Sequence, residues 1–321
     1  MGVRVGFVGV GGIARAHIVA LAQMDDVELV AFCDVQEDRA RVAAAEFKGT
    51  AYTAHQDMLE REGLHALYVC VPPGFHTDAE IIAARKGIHL FIEKPVAVTL
   101  RKAREIEAAI KEAGVISSVG YHWRYQDSTR LAREKLADRT IAMVLGYWMG
   151  GLPGVPWWRV MAQSGGQMVE QTTHIFDLAR YLAGEVRRVC AMAALRTMRD
   201  VPNLDVSDVG TVVLEFDNGA IGTISNTCCL DFGYRVGLNV ICRNLVVEID
   251  GGARILEAGR VEEVRNKTDV RVLQNRVFID AVKSGKRDAI ESNYSDAVKT
   301  LAVTLAANES VETGKVVDIS P

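Results

Sequence analysis

"VGFVGVGGIARAH", residues 5–17, begins as an apolar strand and ends as a helix. Between the two lies Gly9-x-Gly11-x-x-Ala14, the spacing of a dinucleotide-binding turn with Ala in its third place. Gly9 permits the tight turn, Gly11 lets backbone approach a pyrophosphate, and Ala14 keeps helix close to strand. Gly12 and Ile13 open the helix, whose first N–H groups face the anion. Glycine patterns alone are weak, because turns are rich in glycine. Here a second strand follows, ending "AFCD". Its Asp34 stands where a carboxylate takes both hydroxyls of an adenosine ribose.

Outward from this turn, strand-like runs at 3–8, 27–33, 66–71, 88–92 and 115–119 alternate with helical patterns at 12–23, 36–47, 76–86 and 99–113. Such alternation predicts a parallel sheet with helices on both faces, doubly wound, with its ligand crevice beyond the carboxyl ends of the strands. After Gly120 the pattern changes. Helices read at 126–137 and 165–183, and strands at 186–197, 208–217, 220–230, 234–242, 245–250 and 253–258. Asp217-Asn218-Gly219 reads as a hairpin turn. The run of strands predicts an α+β second domain with a large open, mainly antiparallel sheet. The expected division is 1–122 and 123–289, with a final helix over about 290–321 packing back on the first domain.

The 321 residues are 49% hydrophobic and 24% charged, ordinary for a globular protein of two domains. A net charge of −4 argues against a nucleic-acid partner. No apolar run is long enough to cross a bilayer. No basic-then-apolar leader precedes the first strand, so a cytoplasmic location is expected. Cys33, Cys70, Cys190, Cys228, Cys229 and Cys242 form no C-x-x-C pair and no zinc spacing; buried, reduced thiols are expected, and no metal. Asp34 repels a 2′-phosphate and Val35 beside it offers no donor, which favours NAD over NADP. Arg39 and Arg41 on the next helix are the counter-argument.

In "HLFIEKPVAV", residues 89–98, an apolar strand ends on Glu93-Lys94-Pro95. Pro95 cannot continue a central strand. Lys94 at the carboxyl end points into the cofactor crevice, where it can exchange a proton with a substrate hydroxyl. The bland alternative is a lysine snorkelling to solvent.

"VPPGFHTDAEIIAARKGIHLFIEKPVAV" (71–98), "GYHWRY" (120–125) and "WRVMAQSGGQMVEQTTHIFDLARYL" (158–182) resemble, in order and over nearly the whole chain, the glucose–fructose oxidoreductase/inositol dehydrogenase/rhizopine-catabolism (Gfo/Idh/MocA) family. "TGKVVDI" near the end also fits. The resemblance implies a Rossmann domain followed by an α/β domain with a large open sheet. It implies NAD(P)-dependent hydride transfer at a secondary alcohol or ketone of a sugar, inositol or related polyol. It places Pro72, Pro73, His76, Glu93 and Lys94 against the cofactor, with Lys94 as catalytic acid/base.

On the helix expected over 165–183, Glu170, His174 and Asp177 sit at i, i+4 and i+7, one face. The family has an Asp at position 170 and its catalytic His at 174, so Glu170 and His174 are the expected second half of the site. Two departures stand out: Glu170 is one methylene longer, and Thr172 replaces a glycine. In "GYHWRY", His122 replaces the family's Asn, and Arg124 is retained; both are expected against substrate. Of the tryptophans, Trp157 or Trp158 is expected to offer an aromatic face to a sugar. His17 reads as a packing residue.

Two rival readings stay open. One is a glycosidase or lyase that uses NAD transiently, with no net redox change. The other is a non-catalytic dinucleotide sensor, against which Lys94 and His174 both argue. An open sheet face predicts a homodimer, or a tetramer built from dimers.

Overall fold

The computed structural model describes residues 2–319. Its contacts divide into two units: residues up to His122 with Asp269–Val298, and Trp123–Thr268 with the chain from Lys299 onward.

The first unit is built on β1 (Val3–Val8), β2 (Val27–Cys33), β3 (Thr50–Tyr52), β4 (Ala66–Val69), β5 (His89–Ile92) and β6 (Ser117–Val119), with α1 (Gly12–Ala22), α2 (Glu37–Phe47), α3 (His55–Arg61), α4 (Ala79–Arg85) and α5 (Leu100–Ala113) between them. The order β3-β2-β1-β4-β5-β6 is wholly parallel and reverses at β1/β4, so the turn after β1 opens at the switch point. β3 and α3 were not expected. Three residues of strand show no alternation to read. Thr99 caps α5 by accepting the Lys102 N–H at 3.3 Å, and Gly114 ends it in a left-handed conformation.

Strand register sets Phe32, Phe7, Tyr68 and Phe91 in a row across β2, β1, β4 and β5. Phe7 stacks on Tyr68 at 4.9 Å, and Tyr68 on Phe91 at 4.6 Å. Phe278, from a later helix, meets both Tyr68 and Phe91 edge-on at 5.6 Å.

The second unit carries α6 (Asp127–Leu136), β7 (Ile141–Met149), α7 (Met161–Ser164), α8 (Gly166–Glu170), α9 (Thr173–Ala183), β8 (Val186–Ala194), β9 (Val209–Phe216), β10 (Ile221–Thr227), β11 (Arg235–Cys242), β12 (Leu245–Ile249), β13 (Gly252–Glu257) and β14 (Arg260–Arg265). With β15 (Val317–Asp318) they form a nine-stranded sheet in the order β14-β13-β12-β11-β7-β10-β9-β8-β15. Every pair is antiparallel except β7 with β10. One face is covered: Met168, Ile175, Leu178 and Leu182 pack with Val212, Leu214 and Ile224 of the sheet. The other face leaves Met192, Val213 and Ile221 exposed.

Two stretches differ from the expected division. α10 (Val270–Ser284), which the sequence puts in the second domain, groups with the first unit, because Phe278 and Ile279 join the core around Phe7 and Tyr68. Of α11 (Tyr294–Thr313), expected on the first domain, the part from Lys299 groups with the second, where Val303, Ala306 and Ala307 are core residues.

Phe278 is fully buried. Phe278→Ala is expected to lower stability by about 3–5 kcal/mol, read by chemical denaturation. A change below about 1 kcal/mol would mean that α10 is not part of this core.

Candidate functional site

The first unit supplies a dinucleotide cradle. Gly9 has φ +81°, and its N–H donates to the Cys33 carbonyl at 2.8 Å. A Cβ there would stand 2.6 Å from the Cys70 oxygen, so β1 and β4 leave room for glycine alone. At Gly11 and Gly12 a Cβ would meet nothing within 4 Å, which leaves the outer side of the turn open. Ala14 is buried against the strands, while Ile13 is 39% exposed. The Asp34 carboxylate is fixed beside the turn: Oδ2 accepts the Val10 N–H at 3.0 Å and Oδ1 the Gln36 N–H at 2.9 Å. A carboxylate has about four acceptor sites, so each oxygen retains capacity for a ribose hydroxyl. Bare turn, helix N-terminus and anchored carboxylate together fit a dinucleotide. Val35 is exposed, Arg39 is exposed, and Arg41 is paired with Glu37.

Pro72 and Pro73 lead into a short 3-10 turn, Pro73–Phe75, and the buried His76 that follows bonds through Nδ1 to the fully buried Glu80. Lys94 is half-buried just past β5, two strands from β1. Strands lie about 4.8 Å apart, so it stands about 10 Å across the crevice from the phosphate turn, within the span of a dinucleotide. Glu93 is 6% exposed, and its Oε2 accepts the Lys94 N–H at 3.1 Å. Burial pushes the His122 imidazole below its ordinary value, with Glu93 opposing, so the ring is neutral at neutral pH. Its Nδ1 lies 3.4 Å from the Gly120 carbonyl oxygen.

In the second unit, the expected single helix over 165–183 is two pieces, α8 and α9, with the separate short α7 just before them. Gly165 ends α7 with φ +74°, and the ladder is irregular at Gln171 and Thr172, where both N–H groups turn to the Gln167 carbonyl. Thr172 Oγ1 accepts from Asn226 of β10 at 3.1 Å. Glu170 therefore closes α8 and His174 lies in the first turn of α9, off the uninterrupted helical face that spacing implied. A Glu170 oxygen accepts the Trp158 indole N–H at 2.8 Å. The His174 ring lies nearly parallel to Trp123 and Trp148, at 5.9 Å and 6.1 Å.

Asp177 serves a different purpose. It accepts from Arg124 Nε at 2.8 Å and from its terminal nitrogen at 2.6 Å, and from Thr300 Oγ1 at 3.0 Å. Arg124, 5% exposed and lying over the Tyr181 ring at 4.7 Å, is thereby engaged inside the unit. The expectation for Trp158 is corrected: it is fully buried with Leu204, Val206 and Cys228 and has no face to offer. Trp157 packs partly buried on the same cluster.

Sequence reasoning missed Trp123 and Trp148, which only strand register and chain course bring to His174. It also underread His17, which packs but is bonded to Glu93; its spacing with Ala14, Ile18 and Leu21 marks a buried helix face. The thiols are reduced, with Cys190 and Cys229 exposed, contrary to expectation. Burial raises Cys33 to about 11 and Cys228 to about 12, so neither is a nucleophile at neutral pH. No group of three potential metal ligands occurs among the described residues, and no helix is long and apolar enough to cross a membrane.

Residues 3–121 match the oxidoreductase family with an NAD-binding Rossmann fold, and residues 137–248 match the Gfo/Idh/MocA C-terminal domain. The chain is 29% identical to a myo-inositol 2-dehydrogenase of Thermotoga maritima over 328 positions, covering 96% of each. It is 29% identical to an inositol 2-dehydrogenase of Rhizobium meliloti over 246 positions, 75% of this chain and 73% of that one. The WlbA dehydrogenase of Bordetella pertussis, solved with NADH and UDP-GlcNAcA, superposes with a TM-score of 0.88 at 25% identity over all of both chains.

Removing one partner from a buried ion pair leaves an uncompensated charge. Asp177→Ala is therefore expected to cost about 3–5 kcal/mol in chemical denaturation. Arg124→Met with Asp177→Leu should recover most of that. A double variant as unstable as the single one would show that the pair's charge is not what matters there.

Proposed function

The chain belongs to the Gfo/Idh/MocA family of oxidoreductases with an NAD-binding Rossmann domain, and on that premise we propose that it transfers hydride between NAD and a secondary alcohol or ketone of a sugar, inositol or related polyol. The observation that carries this reading is the place of Lys94. It stands at a carboxyl strand end, in the unit that holds the Gly9–Ala14 turn and Asp34. The inositol dehydrogenases that the chain resembles support the substrate class.

Bound NAD supplies the acceptor for the hydride; the chain's own groups move the proton. Lys94 exchanges it with the substrate hydroxyl or carbonyl. His174 is the second proton-transfer group, and Glu170, whose carboxylate accepts the Trp158 indole N–H, orients it or holds a second hydroxyl. The indoles of Trp123 and Trp148 beside His174 are apolar faces suited to the C–H faces of a sugar ring. Neutral His122 is a hydrogen-bonding group for substrate. Asp34 favours NAD over NADP, because a 2′-phosphate would meet its charge.

The exposed face of the nine-stranded sheet, with Cys190, Met192, Val213 and Ile221 outward, supports a homodimer or a tetramer of dimers. A cytoplasmic location suits six unbridged cysteines.

The test is a panel of inositols, polyols and aldoses with NAD, read as NADH absorbance. At least one member should yield stoichiometric NADH. Binding without NADH across the panel would favour a redox-neutral enzyme or a sensor. On the best substrate, Lys94→Met and His174→Ala should each lose about two to four orders of magnitude in turnover while still binding NAD. Near-normal turnover of Lys94→Met would overturn the mechanism. Light scattering at micromolar concentration should give at least twice the chain mass; a monomer would contradict the assembly.

A further inference from the structure

We propose that His17 is a positioning residue for Lys94: it cancels the charge of Glu93, so that the lysine works beside a neutral pair instead of a bare carboxylate. The inference rests on the role given to Lys94 above.

The hydrogens available around the imidazole fix the charge of the pair. Asn275 of α10 is fully buried, and its Nδ2 donates to the Arg271 carbonyl at 2.9 Å. This turns Oδ1 toward His17 Nδ1, 3.0 Å away. A carbonyl oxygen only accepts, so Nδ1 carries a hydrogen. On the other side of the ring, Nε2 lies 2.8 Å from Glu93 Oε1. With no hydrogen there, two lone pairs would face each other where His17 is 1% and Glu93 6% exposed. One proton therefore sits between them, on nitrogen or on oxygen. In either arrangement the pair sums to zero charge.

Neither partner has room to leave. The imidazole is held against Phe91 at 4.8 Å and Tyr68 at 5.6 Å. A Cβ at Gly120 would collide with the Glu93 carboxylate, which shows how closely that segment closes on it. Glu93 Oε2 in turn accepts the Lys94 N–H, so the ring, the carboxylate and the lysine backbone form one chain. The chain ends on a buried amide and a backbone carbonyl, which makes it a proton holder and not a wire to solvent.

Two further titratable groups of this unit interact with Glu93, and neither adds a negative charge. Cys70, at the end of β4, is pushed well above the ordinary thiol range by burial first and Glu93 second, and stays neutral. His122 is neutral through burial. Arg271 of α10 is cationic. An uncompensated carboxylate adjacent to the lysine would favour its charged form, whereas proton exchange needs both forms accessible at the working pH.

His17→Gln keeps an N–H donor for Glu93 and removes the compensating proton. In the pH dependence of kcat/KM, measured with NAD and the best substrate of the panel, the lysine-dependent limb should move about one unit to the alkaline side. Turnover at neutral pH should fall about tenfold with it. Glu93→Gln alone should leave the limb in place, since neutral His17 beside a neutral amide also sums to zero. Glu93→Gln added to His17→Gln should bring the limb back. An unshifted limb in His17→Gln, or a shift in Glu93→Gln equal to that of His17→Gln, overturns the proposal. Should His17→Gln not fold, Glu93→Gln decides: an unmoved limb supports the proposal, a moved one overturns it. Lys94→Met keeping its turnover would defeat the lysine's role itself, a failure distinct from a silent His17 in an enzyme that needs Lys94.

Discussion

At Gly9 three strands converge, and the backbone there has no space for a side chain. Its N–H ties to the end of β2, while the chain beyond β4 returns a bond from Cys70 to Val8 at 2.8 Å. A positive φ and a Cβ position overlapping the Cys70 oxygen together demand glycine. Much follows from that one residue. The turn stays tight, α1 starts directly behind it, and the helix presents its unsatisfied N–H groups at the switch point of the sheet. Asp34 is then held beside the turn by the Val10 N–H, so the anion-binding and hydroxyl-binding features arise from the same few residues.

The same unit couples its core to its chemistry. Phe32, Phe7, Tyr68 and Phe91 form an aromatic row across four parallel strands, closed by Phe278 from α10. His17 rests on two of these rings and bonds to α10 through Asn275 and to Glu93 at the end of β5. A strand that is apolar to its last residue thus delivers a charged dipeptide at a rigid place. Burial of the row stabilises the fold, and the rigidity is passed to the lysine backbone through one carboxylate.

How much of this could be read in advance depended on locality. The parallel sheet, α1, the glycine turn and Asp34 are carried by short-range patterns, and residues 3–52 alone contain most of them. β3 and α3 escaped because little of either is buried: Thr50–Tyr52 has no buried residue and His55–Arg61 only the adjacent Met58 and Leu59, which show no period. In the second unit, the spacing of Glu170, His174 and Asp177 assumed one helix. The irregular ladder at Thr172, tied to Asn226 of a strand over fifty positions away, breaks that assumption. The pairing of Arg124 with Asp177, the burial of Trp158 and the approach of Trp123 and Trp148 to His174 are tertiary facts with no local signature. The residue types expected at the site were thus easier to name than their partners, because type follows motif and partner follows packing.

The central claim is that Lys94 is placed by the sheet to exchange a proton with substrate beside bound NAD. A crystal structure of the protein with NADH and the best substrate tests it most directly. The account predicts the pyrophosphate on the Gly9–Ala14 turn, the adenosine ribose on Asp34, and the Lys94 Nζ about 2.6–3.2 Å from the reacting oxygen of the substrate. A cofactor bound in the turn with Lys94 turned away, and another group within hydrogen-bond reach of that oxygen, would contradict it.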